Sequence, residues 1–309
     1  MKKADVFLTG STGFMGSAIL EKLISHKYET TCFVRDSEKG RSLQKRGIAT
    51  TMGNLSNEEP DIGDAGVVVH CAGIVSVKDA IEHPKRIFQE NTAMTLNVLE
   101  AMRKGSAKTI IFPSTDRVYG SPKSDIVDEE TLPCALEPYS AAKITSEQLC
   151  QSYCATYGMS YVTLRIANVF GPGQTSDLFI PSITRKIINS DTGVIGVGNT
   201  KTSRNFIYIK DVADLFYFML ANLDRAKNST FNAGSYLLEI GQILDMLSGI
   251  SMKHLNKKIN FVTDPKMVRP ASTEIKKFLL DSNKIKGLGW EPKYKFEKAL
   301  EETFKSYCP

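Results

Sequence analysis

The stretch Ala4-Asp5-Val6-Phe7-Leu8-Thr9-Gly10-Ser11-Thr12-Gly13-Phe14-Met15-Gly16 decides the fold. Ala4 to Thr9 is a short apolar run that predicts a strand. Gly13 to His26 carries apolar residues at helical spacing, and Glu29 to Val34 returns to β-branched and aromatic residues. Strand, turn, helix and strand make a βαβ unit. In the turn between them, Gly10, Gly13 and Gly16 let backbone approach a ligand closely. The helix that starts there aims unpaired amides and the positive end of its dipole at the same place. A GxxGxxG pattern alone would also describe a tight turn, but the flanking strand and helix make it a seat for a dinucleotide pyrophosphate. The residues assigned to that seat are Gly10, Thr12, Gly13, Phe14, Met15 and Gly16.

Working outward, Ile48 to Met52, Val67 to Cys71, Thr109 to Phe112 and Tyr161 to Ile166 are further strand candidates. Most are separated by segments long enough for crossover helices. Such alternation predicts an α/β fold with a doubly wound parallel sheet of the Rossmann type. Beyond Asn168 the pattern loosens into Gly171-Pro172-Gly173, a short helix near Pro181 to Ile188, and a final amphipathic helix from Tyr294 to Tyr307. Residues 1–168 are therefore expected to form a dinucleotide-binding domain that also receives part of 204–235. Residues 169–309 are expected to form mainly a smaller, interleaved substrate-binding domain.

The second strand ends at Val34, and Arg35-Asp36 follow. An acid at this point holds the ribose hydroxyls of NAD, whereas a base holds the 2′-phosphate of NADP. Arg35 comes first, which favours NADP; in the other reading Arg35 solvates the loop and Asp36 holds NAD. Asn54-Leu55, after the third strand, are candidates to face the adenine. Cys71-Ala72-Gly73, at the carboxyl edge of the sheet, are small enough to admit the dinucleotide. His70 has no carboxylate near it in sequence and reads as a structural histidine.

Tyr139 and Lys143 lie four apart in Pro138-Tyr139-Ser140-Ala141-Ala142-Lys143, so on a helix they share one face. A lysine ammonium beside a phenol, together with an oxidised nicotinamide, favours the phenolate and equips Tyr139 to take a proton from a substrate hydroxyl. Ser114-Thr115-Asp116 follow the fifth strand at the carboxyl edge, where Thr115 can hydrogen-bond the reacting oxygen; a turn-forming hydroxyl cluster is the plainer reading.

The net charge of +5 over 309 residues is spread along the chain, and Lys39 to Arg46 and Lys253 to Lys258 carry no interleaved aromatics. A solvated face suits these stretches better than a nucleic-acid groove. None of the six cysteines forms a CxxC pair, so no metal is assigned and a reducing cytoplasm is expected. No apolar run approaches the roughly 18 residues of a membrane span.

Taken together these residues resemble the extended short-chain dehydrogenase/reductase family, in its NAD(P)-dependent epimerase/dehydratase branch. The resemblance runs nearly end to end. Besides the glycine turn and YxxxK, it rests on Asn91-Thr92-Ala93-Met94-Thr95, Val118-Tyr119-Gly120, Leu164-Arg165, Asn168-Val169-Phe170-Gly171-Pro172-Gly173, Arg204-Asn205-Phe206, Asp211-Val212-Ala213, Asn232-Ala233-Gly234 and Leu288-Gly289-Trp290-Glu291-Pro292. It implies that Thr115, Tyr139 and Lys143 form a catalytic triad and that Asn91 orders the cofactor site. It also implies that Asn168, Arg204 and Arg269 meet the diphosphate of a nucleotide-sugar substrate, in keeping with the fit of guanidinium to phosphate. For Arg204 and Arg269 ordinary surface pairing is the alternative. Family members are often homodimers through helices like Asn91 to Arg103 and Pro138 to Tyr157.

Two departures shape the functional expectation. Ser114 to Gly120 is similar to the stretch in nucleotide-sugar 4,6-dehydratases where an Asp-Glu pair supplies acid and base. Asp116 is kept here, but Arg117 replaces the Glu, which ranks dehydration below epimerisation or reduction. Ile166 stands where the family commonly has proline. The leading expectation is a 4-epimerase of a nucleotide-linked hexose. An NADPH-consuming reductase of a keto-sugar or another carbonyl compound comes next, and a non-catalytic cofactor-binding scaffold last.

Overall fold

The computed structural model describes residues 5–75, 77–174, 178–267 and 277–308. The chain opens with β1 (Val6–Thr9), α1 (Phe14–Ser25), β2 (Thr30–Val34), α2 (Ser37–Lys45), β3 (Ala49–Met52) and β4 (Val67–His70). α3 (Val77–Glu82), α4 (Pro84–Lys104), β5 (Thr109–Thr115), a 3-10 turn (Asp116–Tyr119), β6 (Ile126–Val127), α5 (Pro138–Tyr157) and β7 (Ser160–Ile166) follow. β5 continues through Ser114 and Thr115, which the sequence reading put after the strand; the parallel register with β7 carries on to Thr115 opposite Ile166.

The main sheet has seven strands in the order β11-β7-β5-β4-β1-β2-β3, with β11 spanning Ser229–Ala233. All of its pairings are parallel. β1 is buried along its length because the sheet is covered on both sides. Val6 and Leu8 pack with Ile19 and Leu23 of α1 and with Leu215 and Phe216. Phe7 points the other way, to Val98, Leu99 and Phe112. The chain winds outward in opposite directions from β1 and β4. A crevice therefore opens beyond their carboxyl ends, the place where ligands bind in such sheets.

The remaining strands are β8 (Asn168–Phe170), β9 (Val194–Val197), β10 (Ser203–Tyr208), β12 (Tyr236–Glu239), β13 (Asn260–Thr263) and β14 (Leu279–Leu280). β12, β10 and β8 form a three-stranded sheet, and β13 pairs with β9. Around them α6 (Phe179–Asn189), α9 (Ile240–Leu255) and α11 (Phe296–Lys305) supply a separate core of Ile183, Ile187, Leu244, Leu247, Phe296 and Phe304. α7 (Ile209–Ala221) and α8 (Leu223–Ala226) lead back to β11, and α10 (Asn283–Leu288) flanks that strand's end of the sheet. Among the described residues no helix is long and apolar enough to cross a membrane.

Candidate active site

The glycine turn sits at the crevice between β1 and β4. Gly10 has a φ of +69°, and a side chain there would bring its Cβ to 2.6 Å from the Ala72 amide nitrogen. At Gly16 a Cβ would lie 2.1 Å from the Gly10 carbonyl oxygen. Both positions thus exclude a side chain, one by conformation and contact, the other by contact alone. α1 begins at Phe14, after Gly13, whose extended backbone carries no capping side chain, and its first turn holds no acid. The first-turn amides, those of Phe14 and Met15 among them, and the dipole are left to a ligand, so the cradle fits a dinucleotide pyrophosphate.

At the adenosine end Arg35 is exposed just after β2. Asp36, exposed beside it, caps α2 through Oδ1, which accepts from the Glu38 amide at 2.9 Å and the Lys39 amide at 3.1 Å. The bonds from the Lys39 and Glu38 amides hold its pKa below the usual range. Asn54 turns its side-chain oxygen to the Ser56 amide, and Leu55 is buried in the core beside Ala72. Asn91 accepts from the Ile74 amide at 2.8 Å and donates to the Ile74 carbonyl at 3.1 Å, so it orders the loop that carries Cys71, Ala72 and Gly73.

His70 is buried within a polar strut. The Thr9 hydroxyl accepts from the Ala72 amide and lies 2.8 Å from His70 Nδ1, while Thr95 Oγ1 lies 3.3 Å from Nε2. Burial, reinforced by the Lys143 cation, lowers its pKa to about 3, so the ring is neutral and links β1, β4 and α4.

α5 starts where the sequence favours a start. Pro138 stands in its first turn, and Glu137 caps it by accepting from the Tyr139 amide at 2.7 Å and the Ser140 amide at 3.1 Å. Tyr139, Lys143, Glu147, Cys150 and Cys154 then form one buried stripe of the helix. The two thiols at its far end are core residues, and no group of acids, thiols and imidazoles suited to a metal occurs among the described residues.

Tyr139 packs against Ala80, Ile87 and Ile74, and among the described residues its hydroxyl makes no hydrogen bond. Burial raises the phenol's pKa; Glu137 and Asp116 raise it further, and Arg117 opposes them. Lys143 shares a helix face with Tyr139, as its spacing predicts, and no hydrogen bond joins the two. Its ammonium is captured by the Pro113 carbonyl at 2.8 Å and lies 4.6 Å from the centre of the Phe112 ring. Burial lowers its pKa to about 8, and it lies within electrostatic reach of Cys71, whose own thiol burial raises to about 12. The two residues share a face but serve different neighbours: Lys143 the carboxyl edge of the sheet, Tyr139 the 3-10 turn.

That turn opens on a cleft lined by Asp116, Arg117, Asn168, Arg204, Asn205 and Phe278. Burial raises Asp116 to about 6 against the pull of Arg117 and Arg204, so near neutrality it can hold or release a proton. Thr115 Oγ1 lies 3.5 Å from Asp116 Oδ1 and accepts from the Arg117 amide at 3.3 Å. Asn168 donates to the Asn205 carbonyl at 2.8 Å, and Arg204 to the Ser203 carbonyl at 2.7 Å. The structure thus places Asp116, Arg117, Asn168 and Arg204 around one cleft, with Thr115 beside Asp116 and Tyr139 within electrostatic reach of Asp116 and Arg117. Arg269 lies outside the described residues. Glu137 and Phe278 escape the sequence reading. Only Glu137 carried a signal, an acceptor side chain directly before Pro138.

A doubly wound sheet with an uncapped glycine cradle, and a buried Tyr/Lys helix facing it, define an enzyme of the extended short-chain dehydrogenase/reductase type. The chain belongs to the NAD dependent epimerase/dehydratase family, which it matches over residues 6–234. It is similar to the UDP-glucose 4-epimerase of Thermotoga maritima, with 26% identity and a TM-score of 0.86 over 98% of both chains. The UDP-N-acetylglucosamine 4-epimerase of Methanobrevibacter ruminantium M1 is also 26% identical, with a TM-score of 0.85 over 99% of both chains. A GDP-6-deoxy-D-mannose reductase of Pseudomonas aeruginosa is 26% identical over 96% of this chain and 94% of its own. Relatives of the chain thus include both epimerases and reductases of nucleotide sugars.

Proposed function

We propose that the protein is a 4-epimerase of a nucleotide-linked hexose. The observation that supports this reading is the buried Tyr139, which packs against Ile74 in the loop that Asn91 orders and lies within electrostatic reach of Asp116, the single carboxylate lining a cleft with Asn168 and Arg204. When bound, a nicotinamide cofactor supplies the hydride acceptor and donor. Tyr139 takes the proton of the C4 hydroxyl, Thr115 holds that oxygen, and Lys143 serves the cradle side. Asn168 and Arg204 hold the diphosphate, and Arg269 joins them. The C4 ketone then turns its other face, and Tyr139 returns the proton. With Arg117 in the place of a second carboxylate, removal of the C5 proton has no base of its own, which sets dehydration aside. Residues 1–168 and the returning β11 carry the cofactor in this scheme, and 169–309 mainly the sugar nucleotide.

Incubation with UDP-, dTDP- and GDP-hexoses should yield a C4 epimer with no net change in NAD(P)H absorbance. Absence of an epimer from every one of them, with cofactor retained, would end this reading. Stoichiometric loss of NADPH absorbance would instead establish the reductase, a second reading supported by the exposed Arg35.

We further propose NADP as the cofactor, because Arg35 stands exposed directly after β2, ahead of Asp36, whose Oδ1 caps α2. A homodimer through α4 and α5 is supported by Phe88 and Leu96, exposed two turns apart on α4. Six free thiols suit the cytoplasm. Native mass spectrometry should find twice the 34.2 kDa chain mass with NADP retained. Arg35→Ala should weaken NADP binding by about 10-fold or more, the size of one charge-assisted contact, and spare NAD. Selective loss of NAD in that variant would reverse the assignment.

A further inference from the structure

We propose that Asn205 is a positioning residue for the substrate: its side-chain amide stands in for one residue of a β-strand, docks β14 onto β10 and so sets the spacing of the cleft's lining. This role rests on the reading of that cleft as the seat of the sugar nucleotide. Asn205 lies on β10 between Arg204 and Phe206 and is only 4% exposed. Its Nδ2 donates to the Phe278 carbonyl at 3.0 Å, and its Oδ1 accepts from the Leu280 amide at 3.1 Å. A carbonyl only accepts and a backbone N–H only donates, so the amide has one orientation. The two bonds bracket Leu279, one reaching the residue before it and one the residue after it. One residue of a parallel strand bonds its neighbour in the same slanted way.

On its other edge β14 is a true parallel strand. Leu279 donates to the Asp125 carbonyl at 2.7 Å and Asp281 to the Val127 carbonyl at 2.8 Å, in register with β6. The amides of β14 thus alternate, 279 and 281 turned to β6 and 280 to Asn205. The same residue steadies a second part of the cleft. Its backbone carbonyl accepts from Asn168 Nδ2 at 2.8 Å, and Arg204 precedes it in the chain. Phe278, which its side chain holds, meets Tyr119 of the 3-10 turn edge-on at 6.3 Å between ring centroids. Asn168, Arg204 and Phe278 all line the cleft. One buried residue therefore fixes Asn168 through its carbonyl and Phe278 through its amide, and with them the space a sugar nucleotide must fit. Without the amide, the Phe278 carbonyl and the Leu280 N–H would be stranded where they are buried, and β14 would shift to satisfy them.

The test reads amide hydrogen exchange without ligand, and nucleotide-sugar affinity in a Tyr139→Phe background that halts turnover. In Asn205→Leu, close in size but unable to bond either group, the Leu280 amide should exchange about 10-fold faster or more, while Leu279 and Asp281, held by β6, keep their protection. Asn205→Asp still accepts from Leu280 and should keep that amide protected. Calorimetric titration with UDP-glucose, dTDP-glucose and GDP-mannose should show Kd raised about 10-fold or more in Asn205→Leu for whichever of them the wild type binds, with cofactor affinity unchanged. If Asn205→Leu does not fold, Asn205→Ala reads the same quantities. Equal loss of protection at 279, 280 and 281 would mark general loosening and overturn the proposal, as would an unchanged Kd beside a freed Leu280 amide. A freed Leu280 amide alone, in a protein whose wild type binds none of the three sugars, would discard the substrate reading and leave the docking of β14 by Asn205 intact.

Discussion

Tyr139→Phe is expected to lower turnover by about 10²- to 10⁴-fold, the range that a positioned proton-transfer group contributes. It should do so while leaving the protein folded and the cofactor bound. The substitution removes one hydroxyl, which makes no hydrogen bond among the described residues. The ring keeps its packing against Ala80, Ile87 and Ile74. No buried partner is stranded, so the stability change should stay within about 0.5 kcal/mol. The pyrophosphate cradle belongs to Gly10–Gly16 and to the loop that Asn91 ties through Ile74, and loss of the hydroxyl leaves the ring's packing against Ile74 in place. Because the missing proton transfer occurs only in the transition state, kcat and kcat/KM should fall together and KM should hold. Steady-state kinetics, with cofactor content measured on the same samples, checks all three statements. A loss smaller than about 10-fold would fall below the range for proton transfer and remove Tyr139 from the chemistry, returning the scaffold reading.

How much of this was legible beforehand depended on how local the signal was. The cradle is written in seven consecutive residues, because a strand end, a left-handed glycine and an uncapped helix are all short-range features, and the structure carries them where Gly10 to Gly16 predict. The parallel sheet was equally legible, since each strand is a compact apolar run. The length of β5 was not: Pro113, Ser114 and Thr115 look like a turn in isolation, and only pairing with β7 keeps them extended. The relation of Tyr139 to Lys143 was also beyond the sequence. Spacing of four places both on a face, but it says nothing of the Pro113 carbonyl that captures the ammonium. Asp36 shows the same limit, since its place in the sequence did not reveal that its Oδ1 caps α2. Arg117 and Glu137 lie twenty residues apart and meet only because the 3-10 turn folds against α5. Side chains that act through long-range partners were the ones missed or misassigned.

Glu147→Ala is the substitution expected to weaken the fold most, by about 3–5 kcal/mol, the usual effect of stranding one member of a buried ion pair. Glu147 is 1% exposed at its side chain and Arg165 6%. The guanidinium donates to Glu147 from Nε at 3.2 Å and from Nη2 at 2.8 Å, and its Nη1 donates to the Tyr119 hydroxyl at 2.9 Å. Tyr119 in turn donates to Asn232 Oδ1 at 2.7 Å. This network joins α5 to β7, to the 3-10 turn and to β11, and it lies on the helical stripe that carries Tyr139 and Lys143. In the alanine variant Arg165 would keep its charge and lose both bonds to the carboxylate, with no water to replace them. Urea unfolding should show the loss as a lower midpoint, and activity should fall with it as α5 loosens. The decisive control is Glu147→Leu combined with Arg165→Met, which removes both charges and fills similar volume. A buried pair so replaced is often neutral for stability, and the bond from Tyr119 to Asn232 remains to hold the turn. If the double variant recovered most of the midpoint, the deficit of Glu147→Ala would be that of a stranded cation. If it stayed as unstable as the single, the attraction within the pair would itself be holding the catalytic helix against the sheet.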